Sequence, residues 1–279
     1  HQVEVLRGPQ AGAFGANAAG GLVRLVTNAP TPFWTGQLEA TAGGDGLREG
    51  GFAFGGPLAA KPDQFMMRLA VHQSSSDGFR HNAALNRDTN ARDEFTARLR
   101  FTANPSPLWR WDAALLFADF DNGFDEFAPN NNGRLTYSDQ PGRDEHLAKA
   151  ASGRGTFTGF PGAGFTTVTN TSQTKSTYSY DDDWTAASYQ GFSDMSRDRR
   201  MLNEELRLDS ALAHGALGWV DRWTLGAFLS ETKETGYYTD SDPGNIRGLR
   251  TRYNASNEAL FGQVAHDFDA RTRLVVGLR

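Results

Sequence analysis

Residues 94–101 place Phe95, Ala97, Leu99 and Phe101 at alternate positions, with Glu94, Thr96, Arg98 and Arg100 between them. Successive side chains of an extended chain point to opposite faces, so this spacing gives a strand with one greasy side and one wet side. The same period runs through residues 34–42, where Trp34, Leu38, Ala40 and Ala42 oppose Thr35, Gln37, Glu39 and Thr41. It recurs in residues 64–72, where Phe65, Met67, Leu69 and Val71 oppose Gln64, Arg68 and His72. Further segments at 47–55, 109–120, 201–212, 222–232, 258–268 and 272–279 bring the expectation to about nine strands in an all-β, antiparallel fold.

The connectors carry a second regularity. After a short turn at residues 43–46, short links (56–63, 103–108, 213–221, 269–271) alternate with long ones (74–93, 121–200, 236–257). An up-and-down membrane barrel, with tight turns at one rim and long loops at the other, produces this phase, whereas a soluble sandwich has no reason to keep it. Trp109, Trp111, Trp219 and Trp223 fall near strand starts beside short turns, where an aromatic girdle would sit. Mean hydropathy is −0.54 and no apolar run reaches the ~18 residues of a membrane helix. That polar average is compatible with a barrel, whose strands alternate lipid-facing and lumen-facing residues. The net charge of −5, without a basic run, leaves no electrostatic footprint for nucleic acid, and the absence of cysteine excludes disulfides and thiolate metal sites.

Candidate sites are few. The stretch 121–200, expected as one long outer loop, holds Tyr178, Tyr180, Trp184 and Tyr189, flat amphipathic surfaces suited to a ligand, beside the carboxylates of Asp181, Asp182 and Asp183. The competing reading is a solvated, partly disordered loop with a charge run, part of it open to forming an extra hairpin. His1, His72, His81, His146, His214 and His266 are scattered without metal-ligand spacing. Asp119, Asp121, Asp125 and Glu126 cluster without a nucleophile or base beside them, so neither a catalytic constellation nor a cofactor is expected.

The opening stretch has its own grammar. A strand at residues 3–6 leads through a glycine-rich connector to a second strand at 22–26. Its glycines suit tight turns and close approach of backbones. Taken alone it reads as a loop between strands; a phosphate-cradling loop would need a Gly-Lys-Ser/Thr ending that is absent.

The run Val3-Glu-Val-Leu-Arg-Gly-Pro-Gln10, followed by Phe14-Gly15, Asn17-Ala18, Gly20-Gly21 and Thr27-Asn-Ala-Pro30, resembles the end of the plug domain of TonB-dependent outer-membrane receptors. Ala11 and Ala16 depart from that pattern, where glycine and arginine are common. Residues 203–209, 223–228 and 274–279 are similar to barrel strands of these receptors, in the same order. The resemblance implies a plug end at residues 1–32 and the first part of a transmembrane β-barrel at 33–279. Arg7, Gly8, Pro9, Gln10, Gly15, Asn17, Gly20 and Gly21 would carry the plug motif. It further implies active uptake of a scarce solute, commonly an iron–siderophore chelate, with the TonB energy-transducing complex and outer-membrane lipid as partners and TonB contacted through a region upstream. A passive porin or structural barrel is the alternative, and a soluble carbohydrate-active β protein a third. About nine strands cannot close a plugged barrel of about 22, and His1 stands within strand-like sequence, so the chain is expected to be a fragment cut at both ends.

Overall fold

The computed structural model describes residues 2–8, 20–186, 191–210, 220–242 and 245–279. Strands β1 (Gln2–Arg7) and β2 (Gly21–Val26) form a separate antiparallel pair, registered from Gln2 opposite Val26 to Arg7 opposite Gly21. Glu4 and Arg24 face each other across it in a 2.9 Å ion pair. A side chain at Gly21, where φ is +143°, would place Cβ 2.7 Å from the Leu6 carbonyl oxygen. The end of this pair therefore requires glycine.

The rest of the chain is dominated by one sheet. In chain order it comprises β3 (Thr35–Ala42), β4 (Arg48–Pro57) and β5 (Phe65–Ser76). Two short strands, β6 (Arg80–Asn82) and β7 (Arg87–Thr89), precede β8 (Arg92–Ser106) and β9 (Trp109–Phe124). After the short β10 (Leu135–Thr136) come β11 (Gly142–Phe160), β12 (Ala163–Asp181) and β13 (Phe192–Ser210). β14 (Arg222–Asp242), β15 (Asn245–Asp267) and β16 (Arg273–Leu278) complete the series. Leaving out β6, β7 and β10, the strands from β3 to β16 pair antiparallel in unbroken succession, giving an eleven-stranded wall. Among the described residues no pairing joins β3 to β16, so the wall is open along those two edges.

All nine anticipated strands are present, and two more come from a segment expected to be loop. Within residues 121–200, β11 and β12 form a hairpin of 19-residue strands turning at residues 161–162, and β13 begins at Phe192. The expected long link at 236–257 is likewise strand, since β14 and β15 stay in register to Asp242 opposite Asn245. Both errors have one cause. A membrane-spanning strand needs about 9–11 residues, whereas β14 has 21 and β15 has 23. Beyond the apolar zone both faces are wet, and the hydrogen-bond ladder continues without any alternation to announce it. The added hairpin contributes two strands, so every later connector keeps its rim, but the phase of lengths fails in the last part of the wall, where residues 243–244 alone separate β14 from β15 at the rim expected to carry long loops.

Sorting residues by face explains what the wall is made for. Among the described residues only Met66, Ala128 and Val220 are buried apolar side chains, whereas Leu38, Leu115, Leu225, Leu260 and Leu278 stand exposed on one face of the sheet. That is an inside-out distribution for a water-soluble domain and the ordinary one for a wall facing hydrocarbon. Near the short-turn rim, Trp109 stacks on Trp111 with ring centroids 5.4 Å apart and lies 4.6 Å from Phe157, while Trp34 stacks on Phe54 at 4.8 Å. Trp223 stands at the start of β14; Trp219 lies outside the described residues.

The opposite face carries Gln37, Glu39, Arg68, His72, Arg98 and Arg100. Arg100 donates through Nη1 to the carbonyl oxygens of Thr27 (2.8 Å) and Asn28 (3.0 Å), tying the N-terminal linker to the polar side of the wall. A cavity of about 360 Å³ lies between that linker and the wall, lined by Gln37, Glu39, Arg68, Arg98 and Arg100.

The end of the sheet opposite the short turns is closed over by a second layer. There β10, β6 and β7 form a three-stranded cap, with β10 parallel to β6 and β6 antiparallel to β7. Gly78 enters this cap at φ +102°, and a Cβ there would collide with the Thr89 carbonyl oxygen. Gly78→Ala is expected to loosen the cap by about 1–3 kcal/mol. Hydrogen exchange is the check: amides of residues 77–91 should lose protection while those of β8 and β9 keep theirs.

Candidate functional site

The cap is organised around one carboxylate. Asp125 follows β9, and its Oδ2 accepts hydrogen bonds from Asn82 Nδ2 (2.9 Å), Thr89 Oγ1 (2.8 Å) and Thr136 Oγ1 (2.6 Å). Its backbone is clamped as well: Asp125 N donates to Asn90 Oδ1 at 2.6 Å, and Asn90 Nδ2 donates to the Asp125 carbonyl at 3.1 Å. Asn90 reaches this position because its φ is +63°, a left-handed conformation that asparagine tolerates better than most residues. Asn82 also donates to the Ser138 carbonyl (2.7 Å) and accepts from the Leu85 amide (2.9 Å). Asn82 and Thr136 are wholly shut off from solvent. Three short strands from two connectors thus converge on Asp125, which orders loops that hold little apolar matter.

A second carboxylate fastens this cap to the wall. Asp181, at the end of β12, accepts from Ser138 Oγ (2.7 Å) through Oδ2 and from the amides of Asp183 (3.2 Å) and Trp184 (3.3 Å) through Oδ1. Burial holds its carboxyl above the ordinary carboxylate range, and the neighbouring Asp183 charge pushes the same way against the Ser138 bond. Arg80 secures the other side, donating to the Asn132 carbonyl and to Glu126 Oε2, each at 3.1 Å.

On this framework the aromatic residues singled out in the sequence come together. Phe127 is the centre: Trp184 stacks on it at 5.2 Å and 22°, and Tyr180 meets it edge-on at 5.7 Å. Phe124 touches Phe127 at 5.8 Å and Tyr178 at 4.8 Å, and Tyr178 lies 5.8 Å from Tyr180. Tyr178, Tyr180 and Phe124 project from the polar face of the wall at its cap end, in register with Asp144 and Gly142. Burial, and after it Tyr180, Asp144 and Glu126, keep the Tyr178 phenol above its usual value, so it remains a neutral hydroxyl. The result is an aromatic shelf with hydroxyl edges, half open to solvent at Phe127 and Trp184. Such a surface takes flat or amphipathic solutes by stacking and hydrogen bonding.

Tyr178, Tyr180 and Trp184 are therefore assembled at one place, and Tyr189 lies outside the described residues. Sequence reasoning missed Phe124 and Phe127; the Phe-x-x-Phe spacing just past a strand end was the available signal. Of the opening motif, Arg7 ends β1, Gly8 follows it at φ +81°, and Gly20 and Gly21 lead into β2. Pro9, Gln10, Gly15 and Asn17 lie outside the described residues.

An antiparallel wall of this extent, greasy outside, polar inside and gripping an N-terminal linker on its polar face, is the architecture of a plugged outer-membrane barrel. No family description built from sequence matches the chain. Solved structures do. The ferric yersiniabactin uptake receptor FyuA from Yersinia pestis superposes with a TM-score of 0.68 at 16% identity, over 99% of this chain and 51% of its own. FpvAI in its complex with pyocin S2 gives 0.77 at 13% identity over 99% and 41%, and the copper transporter OprC gives 0.66 at 14% over 99% and 41%. The chain spans about half or less of the length of these structures. Its fold is that of the TonB-dependent outer-membrane receptors.

Two substitutions test the site. Asp125→Ala removes the acceptor shared by three buried donors and leaves Thr136 Oγ1 without a described one, at about 1–3 kcal/mol for an unsatisfied group, and should expose residues 77–91 and 125–141 to protease while the hairpin β11–β12 stays intact. Asp181→Asn should act in the opposite sense. Because the folded-state pKa of Asp181 is raised, its contribution is complete below the ordinary carboxylate pKa and is lost as pH rises through the raised value. The asparagine variant should thus hold its cap more firmly than the parent at neutral pH and show a flatter protease-protection profile between acid and neutral conditions.

Proposed function

We propose that residues 1–32 are the end of a plug and residues 33–279 part of the barrel wall of an outer-membrane receptor that imports a scarce solute, an iron–siderophore chelate being the best fit, with energy delivered through TonB. In this reading Arg7, Gly8, Pro9, Gln10, Gly15, Asn17, Gly20 and Gly21 pack the plug within the lumen. The cap end faces outward, and Tyr178, Tyr180 and Trp184, with Phe124 and Phe127, receive the solute at the mouth. The wall crosses the outer membrane, and the protein is a transporter, without catalysis of its own.

The observation that carries this reading is the grip of Arg100 on the carbonyls of Thr27 and Asn28. A passive pore has no use for an N-terminal segment fastened across the polar face of its wall. A receptor that must close its lumen with a plug needs that fastening at the linker between the two. Chelates of the siderophore kind are large and often aromatic, and the stacked rings around Phe127 supply area for them without demanding a fixed charge. Proteins sharing the fold include a ferric yersiniabactin uptake receptor and a copper transporter, in keeping with a metal-bearing solute.

The test is growth of iron-starved cells that carry the intact gene as their sole uptake receptor, fed a panel of ferric chelates. At least one chelate should support growth when TonB is present and fail when it is deleted. Entry that is indifferent to TonB would identify a passive pore. Trp184→Ala should raise the chelate concentration needed for half-maximal growth by about tenfold, in line with the loss of one stacked ring at about 1 kcal/mol or more.

A further inference from the structure

We infer that the cavity between the N-terminal linker and the wall is a binding site for a compact, multiply charged oxyanion of the inorganic phosphate kind, which clamps the linker in place. The site is built from wall and linker alone, so it stands apart from the uptake reading. Strand register fixes its basic side: Arg68 on β5 lies directly opposite Arg100 on β8, and Arg98 stands two residues nearer the cap on the same face, about 7 Å along the strand. All three line the cavity of about 360 Å³, together with His72. Room for a ligand comes from Gly51, Ala53 and Ala70, small residues on the neighbouring strands, and Thr27 and Asn28 of the linker close the other side.

What sets this cluster apart from a solvated charge run is that it breaks a rule of sheet pairing and leaves most of its donors unused. Like charges directly opposite on neighbouring strands repel, and a wet face does not require them: β12 meets the same side of the wall with Asn170, Ser172, Thr174 and Ser176. Compensation is sparse. Glu39 is the one carboxylate lining the cavity, and it lies 3.9 Å from His72. Asp112, one step toward the short turns, is taken by Thr102 and Arg110. Among the described residues Arg98 has no hydrogen-bond or ion-pair partner. Arg68 donates only through Nη1, to Thr35 Oγ1 at 3.2 Å, and Arg100 only through Nη1, to the linker at Thr27 and Asn28. In both, the fork of Nε and Nη2 stays uncommitted. Such forks bind phosphate bidentately, and one dianion shared by Arg68, Arg98 and Arg100 replaces their mutual repulsion by attraction. Three forks suit a tetrahedral anion, with an oxygen for each, better than a flat carboxylate that presents two. Because the linker uses the other nitrogen of Arg100, anion and linker are held together and do not compete.

The protein, purified in detergent, is dialysed against radiolabelled inorganic phosphate at constant ionic strength, and amide hydrogen exchange is followed with and without the anion. Phosphate should bind saturably, one per chain, and exchange in residues 27–33 should slow severalfold, whereas chloride at the same ionic strength leaves it unchanged. Arg98→Gln should weaken phosphate binding by about tenfold, the loss of one charge-assisted fork. Without phosphate its exchange in residues 27–33 should match wild type, because Arg100 still holds the linker. Arg154→Gln, on the same polar face opposite Asp112 and outside the cavity, should leave binding unchanged. Strand content by circular dichroism verifies that each variant is folded, and the wild-type titration stands independently of both. No saturable binding by wild type, undiminished binding in folded Arg98→Gln, or bound phosphate that fails to slow exchange in the linker overturns the inference. Complete displacement of phosphate by citrate at equal concentration would mark a site for the carboxylates of a passing solute and overturns it too. Failure of every ferric chelate to support growth would sink the uptake reading and leave this site standing.

Discussion

Backbone amides and carbonyls in hydrocarbon have no water to bond to, so a β structure there must satisfy them strand to strand. Every other feature of this chain depends on that ladder. It lets the wall turn its leucines, phenylalanines and tryptophans away from the centre, because cohesion comes from main-chain pairing and cross-strand contacts, with almost no buried apolar core among the described residues. It also lets the polar face be built freely. Arginines at 68, 98 and 100 would be costly on the apolar side and are useful on the inner one, where Arg100 spends its donors on a passing segment of backbone.

Above the apolar zone the ladder persists but the solvent changes, and so does the chemistry that orders the chain. The cap replaces hydrophobic burial with a carboxylate hub. Asp125 collects an asparagine and two threonines from different segments, and Asp181 repeats the device at the join with β12. Such hubs are directional where greasy contacts are not, which suits a layer that must hold the Phe127 ring stack in a fixed posture beside water.

Legibility in the sequence followed the solvent. Residues 94–101 and 64–72 announced themselves because one face meets hydrocarbon and the other does not, and their pairing as β8 and β5 is among the most regular in the wall. Residues 163–181, rich in threonine and serine, carry strand propensity but no greasy face over most of their length, and they passed for loop although they form β12. The same holds for residues 236–257 in β14 and β15. At the site, Tyr178, Tyr180 and Trp184 were visible as residue types suited to stacking. Their convergence on Phe127 was not, because it depends on a hairpin invisible to periodicity and on Asp125, which in sequence looked like one member of an idle acidic cluster. Asn82 gave no signal at all: its role comes entirely from where β6 is set down.

From β3 to β15 strand length rises along the wall, from 8 residues in β3 through 12 in β5, 16 in β9 and 19 in β12 to 23 in β15, before the 6-residue β16. At about 3.3 Å per residue β3 and β15 differ by roughly 50 Å of strand. The rim is therefore a ramp, low beside β3 and β4 and tall beside β14 and β15. If this rim is the mouth of a receptor, as proposed above, a bulky visitor arriving sideways would meet a palisade on one flank and a doorstep on the other. In that reading the unequal parapet would give this arc an approach direction before any side chain has touched a guest.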